Sequence, residues 1–220
     1  ITIFYFKSKK FTLNKGGKGM TQQEIAKYLS QKLQLLQKLP EHPRKAALAN
    51  LRRGVGRIPG DLPELWSVFL QDMPPAWQSQ TGEPTREEWA VYLALTLYAL
   101  HQQGRALPED NMSRSGVRFG QAVRRLVKPG EDVTDSSVQK RFTVLATASD
   151  MREISQHLRG MIQLLHAAGI PLDYPRLAAD LYELQFAGSA PRVRLRWGQA
   201  FYAPFEENKP ENQQSKEREN

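Results

Sequence analysis

The chain has no cysteine among its 220 residues, which excludes disulfides, thiol nucleophiles and thiolate metal sites. That lack suits a reducing cytoplasm, the expected compartment. Histidine is scarce as well. His42, His101, His157 and His166 are scattered, and none meets a partner at ligand spacing on its own helix. His101 reads as a structural hydrogen-bonder rather than a base. The paired acids Glu131-Asp132 and Glu206-Glu207 fall in a loop and a tail, and no nuclease-like carboxylate cluster appears. No metal, cofactor or catalytic residue is therefore expected. Long apolar runs are also missing. The longest, WAVYLALTLYAL at 89–100, is 12 residues, whereas a bilayer needs about 20. Glycine motifs for phosphates fail too. Gly16-Gly17-Lys18-Gly19 lacks the required spacing and a preceding strand, and Gly54-Val55-Gly56-Arg57-Ile58-Pro59-Gly60 has wrongly spaced glycines and follows a helix.

What is present is an ordinary globular composition, 40% hydrophobic and 25% charged, with a formal charge of +8. Five lysines and no acid lie in residues 1–19, so residues 20–220 hold 26 basic against 23 acidic groups, net +3. A net of +3 argues little for nucleic acid; clustering has to carry it. Residues 1–19 read as an added or read-through leader outside the fold, because Met20-Thr21-Gln22-Gln23-Glu24 looks like a natural start and a helix cap. The apolar run of that leader is too short and wrongly flanked for a signal peptide. Residues 206–220 contain no apolar side chain and read as disordered.

Between them the pattern predicts an all-α fold, a compact bundle of about eight or nine short helices, with a possible division into sub-bundles at 20–107 and 108–205. Thr21 and Glu24 form a capping-box pair before Ile25, Leu29, Leu33 and Leu36. A helix runs from near Pro43 to Arg53 and stops at Gly54. A short one follows over 62–70, ended by Pro74-Pro75. Thr85 and Glu88 box the next, which is apolar nearly all round and should be the central buried helix. Further helices are expected over about 115–128 and 135–148, over about 151–168 behind the Asp150 cap, over 174–186 behind Asp173, and after Ser189 and Pro191. Val193-Arg194-Leu195-Arg196-Trp197 alternates like a strand, but Val193, Trp197 and Phe201 also share a helical face, and the helical reading is preferred.

Five basic residues and no acid stand between Ser113 and Pro129. On a helix over 115–128, Arg118, Gln121, Arg125 and Lys128 form one stripe, which Arg114 extends, opposite Phe119, Ala122, Val123 and Leu126. Guanidinium groups one or two turns apart suit a phosphate backbone, since each can grip two oxygens. Four more basic groups recur: Arg44, Lys45, Arg52, Arg53 and Arg57; Lys140 with Arg141; Arg152 and Arg159, in a polar stripe with Gln156, Gln163 and His166; and Arg192, Arg194 and Arg196. Acids concentrate instead at Asp61, Glu64, Asp72, Glu83, Glu87 and Glu88. Any one cluster could be an ordinary solvated face. Several on one helical scaffold favour a phosphate-binding surface.

The motifs occur in a recognisable order. Ala49-Asn50-Leu51-Arg52-Arg53-Gly54 precedes a Pro-Gly and Leu65-Trp66 segment. Leu97-Tyr98-Ala99-Leu100-His101-Gln102-Gln103 comes before Ser115-Gly116-Val117-Arg118-Phe119-Gly120. Val138-Gln139-Lys140-Arg141-Phe142, Leu158-Arg159-Gly160 and Gly169-Ile170-Pro171-Leu172-Asp173-Tyr174 follow, then Val193-Arg194-Leu195-Arg196-Trp197 with Phe201-Tyr202. In this order, over about residues 22–203, the chain resembles the CasB-type small subunit of Cascade, the type I-E CRISPR surveillance complex. The resemblance implies an all-helical, non-enzymatic subunit, present as a head-to-tail pair with a second copy of itself beside the large subunit and the backbone subunits. It further implies contact with guide RNA and target DNA, holding unwound DNA by its backbone while base pairing reads the sequence. By position, Arg52, Arg53, Arg118, Arg141, Arg159, Arg194 and Arg196 are the implied members of the binding face, with Arg141 and Arg196 open to an internal salt-bridge role instead. Two other classes stay open: a helix-turn-helix regulator reading DNA with residues 115–128, and a helical scaffold for an acidic protein.

Overall fold

A computed structural model describes residues 22–204; the leader, the Thr21 half of the first capping pair and the tail from Glu206 lie outside them. Nine α-helices form, with no strand among the described residues: α1 (Gln22–Lys38), α2 (Glu41–Arg53), α3 (Trp66–Phe69), α4 (Arg86–His101), α5 (Phe119–Arg124), α6 (Ser137–Thr147), α7 (Met151–Ala168), α8 (Tyr174–Leu184) and α9 (Ala190–Tyr202). Two 3₁₀ turns, Pro63–Leu65 and Pro75–Trp77, flank α3. Among the described residues no helix is long and apolar enough to cross a membrane.

α4 is the hub, packed by α1, α2, α7 and α8. Its sequence has no polar side to give to water, so every residue from Ala90 to Ala99 is buried. Its start is the box read from the sequence: Thr85 Oγ1 accepts from Glu88 N at 3.1 Å, and Thr85 N donates to Glu88 Oε2 at 2.7 Å. Tyrosine hydroxyls thread the surrounding core and find carbonyl partners, Tyr28 on Phe69 at 3.1 Å, Tyr92 on Gly54 at 3.1 Å and Tyr174 on Leu97 at 3.2 Å. Asp150 and Asp173 cap α7 and α8 as expected, and Gly169, at φ +66°, closes α7 in the left-handed conformation that favours glycine.

His101 sits at the end of α4 with no exposed surface, its Nδ1 2.9 Å from the Tyr174 hydroxyl. Burial pushes its imidazole down to about 4, with His166 and Arg105 adding to the shift and the Leu165 and Ile170 carbonyls opposing it. The folded protein therefore keeps His101 neutral while the unfolded chain protonates below its ordinary value of about 6.5. Stability present at neutral pH is lost as pH falls through the interval from about 6.5 to about 4. Denaturant unfolding should show a folded state about 2 kcal/mol less stable at pH 5 than at pH 7. A midpoint unchanged between those values would contradict the buried neutral imidazole.

A second aromatic cluster organises the far side. Phe119 packs against Trp197 at 4.7 Å, Phe142 against Phe201 at 4.9 Å, and Phe119 against Phe142 at 5.9 Å between ring centres. Val193, Trp197 and Phe201 face inward together while Leu195, which an alternating strand would put on the same face, is exposed, as a helix requires. The cluster fixes α5, α6 and α9 and so sets where their basic residues emerge.

One expected helix is much shorter. The stretch 115–128 yields only the six residues of α5. Gly116 takes φ +83°, and residues 112–117 instead pair with 172–173: Arg114 N donates to Leu172 O at 3.0 Å, Leu172 N to Met112 O at 3.0 Å and Asp173 N to Val117 O at 2.9 Å. Arg118 is extended at the helix start, and after Arg124 the chain tightens into i→i+3 bonds before Lys128 and Pro129. The sidedness survives: Phe119, Ala122 and Val123 are buried and Arg118, Arg125 and Lys128 are exposed.

Candidate nucleic-acid interface

α7 shows one clean polar stripe. Ile154, Leu158, Met161, Ile162 and Leu165 are buried, so the 3.6-residue period sends Arg152, Gln156, Arg159 and Gln163 outward, and all four are exposed. α6 lies alongside. Ser136 caps it by accepting from Gln139 N at 3.1 Å, and Val138, Phe142 and Leu145 hold its inner face. Lys140, Arg141 and Val144 are left exposed. Between the two helices runs a groove of about 400 Å³ lined by Lys140, Arg141, Val144, Gln156, His157 and Gly160.

Arg159 connects this groove to a distant part of the sequence. Its Nη1 lies 3.9 Å from the position a Cβ on Gly56 would take, so its guanidinium rests beside the turn that carries Arg57. That turn directly follows the end of α2, whose last two residues are Arg52 and Arg53. Arg53 pairs with Glu64 at 2.8 Å while its side chain stays 63% exposed. Arg52 lines a second groove, of about 810 Å³, with Arg44, Lys45, Leu48, Arg105 and Leu107. Two of those cations already serve the fold: Arg44 donates to Gln37 O at 3.1 Å at the end of α1, and Arg105 holds Asp110 at 2.9 Å and His166 O at 2.9 Å. The structure thus sets Lys140 and Arg141 in the α6–α7 groove, Arg152 and Arg159 on the exposed side of α7, and Arg159 beside the turn that follows Arg52 and Arg53.

The remaining candidates fall elsewhere. Arg114 and Arg118 are exposed before α5, and Arg125 and Lys128 after it; neither groove above is lined by them. Arg192 is exposed at the start of α9. Arg194 donates through Nη2 to Ala148 O at 3.2 Å, at the end of α6. Arg196 takes the internal role that the sequence left open. It pairs with Asp180 at 2.8 Å and with Glu183, and Trp197 Nε1 donates to the other Asp180 oxygen at 2.7 Å. Burial holds the Asp180 carboxyl above the usual carboxylate range, opposed by the Arg196 and Trp197 hydrogen bonds. Arg141, the other residue with two readings, is exposed. Among the acids, Glu88 is spent on its helix cap and Glu64 on Arg53, leaving Asp61, Asp72 and Glu83 exposed.

Gly160 and Val144 were not singled out from sequence as site residues, because a groove between two helices is defined only once both are placed. Arg57 was visible in a basic cluster, but the approach of Arg159 to the neighbouring Gly56 joins distant parts of the sequence. In chemical terms, exposed guanidinium and ammonium groups on α6 and α7, with Gln156 and Gln163 interleaved on α7, can grip phosphates irrespective of sequence.

The model of the CRISPR-associated protein Cse2 family matches residues 47–202. Among solved structures, the chain is similar to CasB from Thermobifida fusca, with 35% identity over 81% of this chain and 98% of that one and a TM-score of 0.66. It is also similar to CasB from Thermus thermophilus, at 25% identity, 84% and 100% coverage and a TM-score of 0.59. CasB from M. ruber shares the fold at 21% identity and a TM-score of 0.55. No curated protein matches the chain.

Proposed function

Because this chain belongs to the CRISPR-associated Cse2 family, we propose that it is a non-catalytic small subunit of Cascade that holds nucleic acid by its backbone. Its expected partners are the large and backbone subunits, a second copy of itself, guide RNA and target DNA. The observation that supports the reading is the seating of Arg159 beside the Gly56–Arg57 turn, from which we infer one basic run over α6, α7 and the end of α2. Lys140, Arg141, Arg152, Arg159, Arg53 and Arg52 form its centre. Arg114, Arg118, Arg125 and Lys128, on either side of α5, and Arg192 and Arg194 on α9 are flanking contacts. Arg196, committed to Asp180 and Glu183, supports α9 rather than a ligand. Sequence choice in such a complex belongs to guide–target pairing, so backbone contacts suffice here. The regulator reading loses its recognition helix, since α5 spans only six residues.

Titration of the isolated chain with two single-stranded oligonucleotides of unrelated sequence tests this. Both should bind with roughly the same Kd, about 10⁻⁴ to 10⁻⁶ M at physiological salt, weakening steeply as salt rises. A preference of about a hundredfold for one sequence, or affinity indifferent to ionic strength, would overturn it.

A further inference from the structure

α7 has 18 residues and carries Gly160 in its middle. Glycine inside a helix costs about 1 kcal/mol relative to alanine, so a stable helix keeps one there for a reason. Elsewhere in this fold such a reason is plain. A Cβ on Gly120 would sit 2.0 Å from the Trp197 carbonyl oxygen, and one on Gly54 would meet Leu65 Cδ1 at 2.7 Å. At Gly160, as at Gly198 in α9, a Cβ would meet nothing within 4 Å, and of the two only Gly160 lines a groove. No neighbour inside the described fold needs the missing side chain.

Its surroundings supply the reason. Gly160 lies in the α6–α7 groove, whose apolar floor includes Met161 and Val144, the latter 48% exposed. Gln156 and His157 offer hydrogen-bonding groups, Lys140 and Arg141 stand at the α6 side, and no carboxylate lines the groove. Lys140 pairs with Asp135 at 2.8 Å, but both side chains are well exposed, so that pair is weak and exchangeable. A volume of about 400 Å³ lies within the usual range for small-ligand sites, roughly 300–1,000 Å³.

We propose that the α6–α7 groove seats one nucleotide of a single strand, with its base over Val144 and the bare backbone at Gly160 and its phosphate on Lys140 and Arg141. Charge complementarity selects an anion, and the apolar floor selects one carrying a flat apolar face. A duplex keeps its bases stacked inside, so only an unpaired strand presents that face to the floor. With one glutamine and one histidine at hand, the seat tolerates any base. The inference rests on the basic run being a nucleic-acid surface, and adds to it a defined seat for one nucleotide.

Gly160→Ala separates fold from ligand because the two effects have opposite signs. The variant should melt about 2–4 °C higher, since alanine is the better helix former. It should bind a single-stranded oligonucleotide about tenfold more weakly, a change of about 1.4 kcal/mol, with duplex binding unchanged. Gly160→Leu, which fills more of the groove, should weaken single-strand binding further at an equal or higher melting temperature. If wild type binds single strands and both variants bind them as tightly as wild type, the seat at Gly160 is wrong while the basic run stands. If wild type binds no nucleic acid, or if an acidic peptide occupies the groove in place of the oligonucleotide, the seat and the function proposed above fail together.

Discussion

Gly120→Ala should destabilise the fold by more than about 4 kcal/mol and lower its melting temperature by about 8–16 °C. The added Cβ would lie 2.0 Å from the Trp197 carbonyl oxygen, 2.9 Å from the Phe201 amide nitrogen and 3.0 Å from the Trp197 carbonyl carbon. All three are backbone atoms of α9, so no side chain can swing aside. α9 would have to move away as a body, opening the Phe119–Trp197 contact and pulling on the Trp197 hydrogen bond to Asp180. Thermal unfolding followed by circular dichroism checks this. A melting temperature within about 2 °C of wild type would mean that α5 and α9 do not cross through Gly120.

Arg141→Glu with Arg159→Glu should weaken binding of single strands by at least about a hundredfold, and flatten the log–log salt dependence by about two units. Each change removes a cation from the run and puts a like charge beside the phosphate it would hold. Arg141 is exposed on α6 and Arg159 on α7, beside the Gly56 turn, so the helices do not need them. The helical signal and melting temperature should stay near wild type, because exposed substitutions away from caps and cores cost little. Loss of binding together with unfolding would implicate the fold. Unchanged affinity and slope would show that these two arginines are a solvated surface.

The helices were legible because their signals are local. Thr85 with Glu88, Asp150 and Asp173 are caps that act within three or four residues, and the apolar period of α7 and α9 assigns their buried faces directly. The stretch 115–128 misled because its apolar spacing is helical. What shortens the helix is the pairing of 112–117 with 172–173, a contact sixty residues away, together with the left-handed backbone of Gly116. The candidate site divides the same way. Exposed cations on α7 followed from periodicity, whereas the meeting of Arg159 with the Gly56 turn and the commitment of Arg196 to Asp180 and Glu183 depend on how helices dock. Arg194 and Arg196, two apart on one helix, look alike in sequence. One ends on the Ala148 carbonyl and the other inside an acidic pair, a difference set entirely by α6 and α8.

The most direct test is retention of unwound target by a guide-RNA complex reconstituted with the Arg141→Glu, Arg159→Glu chain in place of wild type. A complex that assembles and keeps its guide, yet releases the target at least about ten times faster and more so at high salt, is the expected result. Target retention equal to wild type in a fully assembled complex would contradict the basic run as the element that holds the strand.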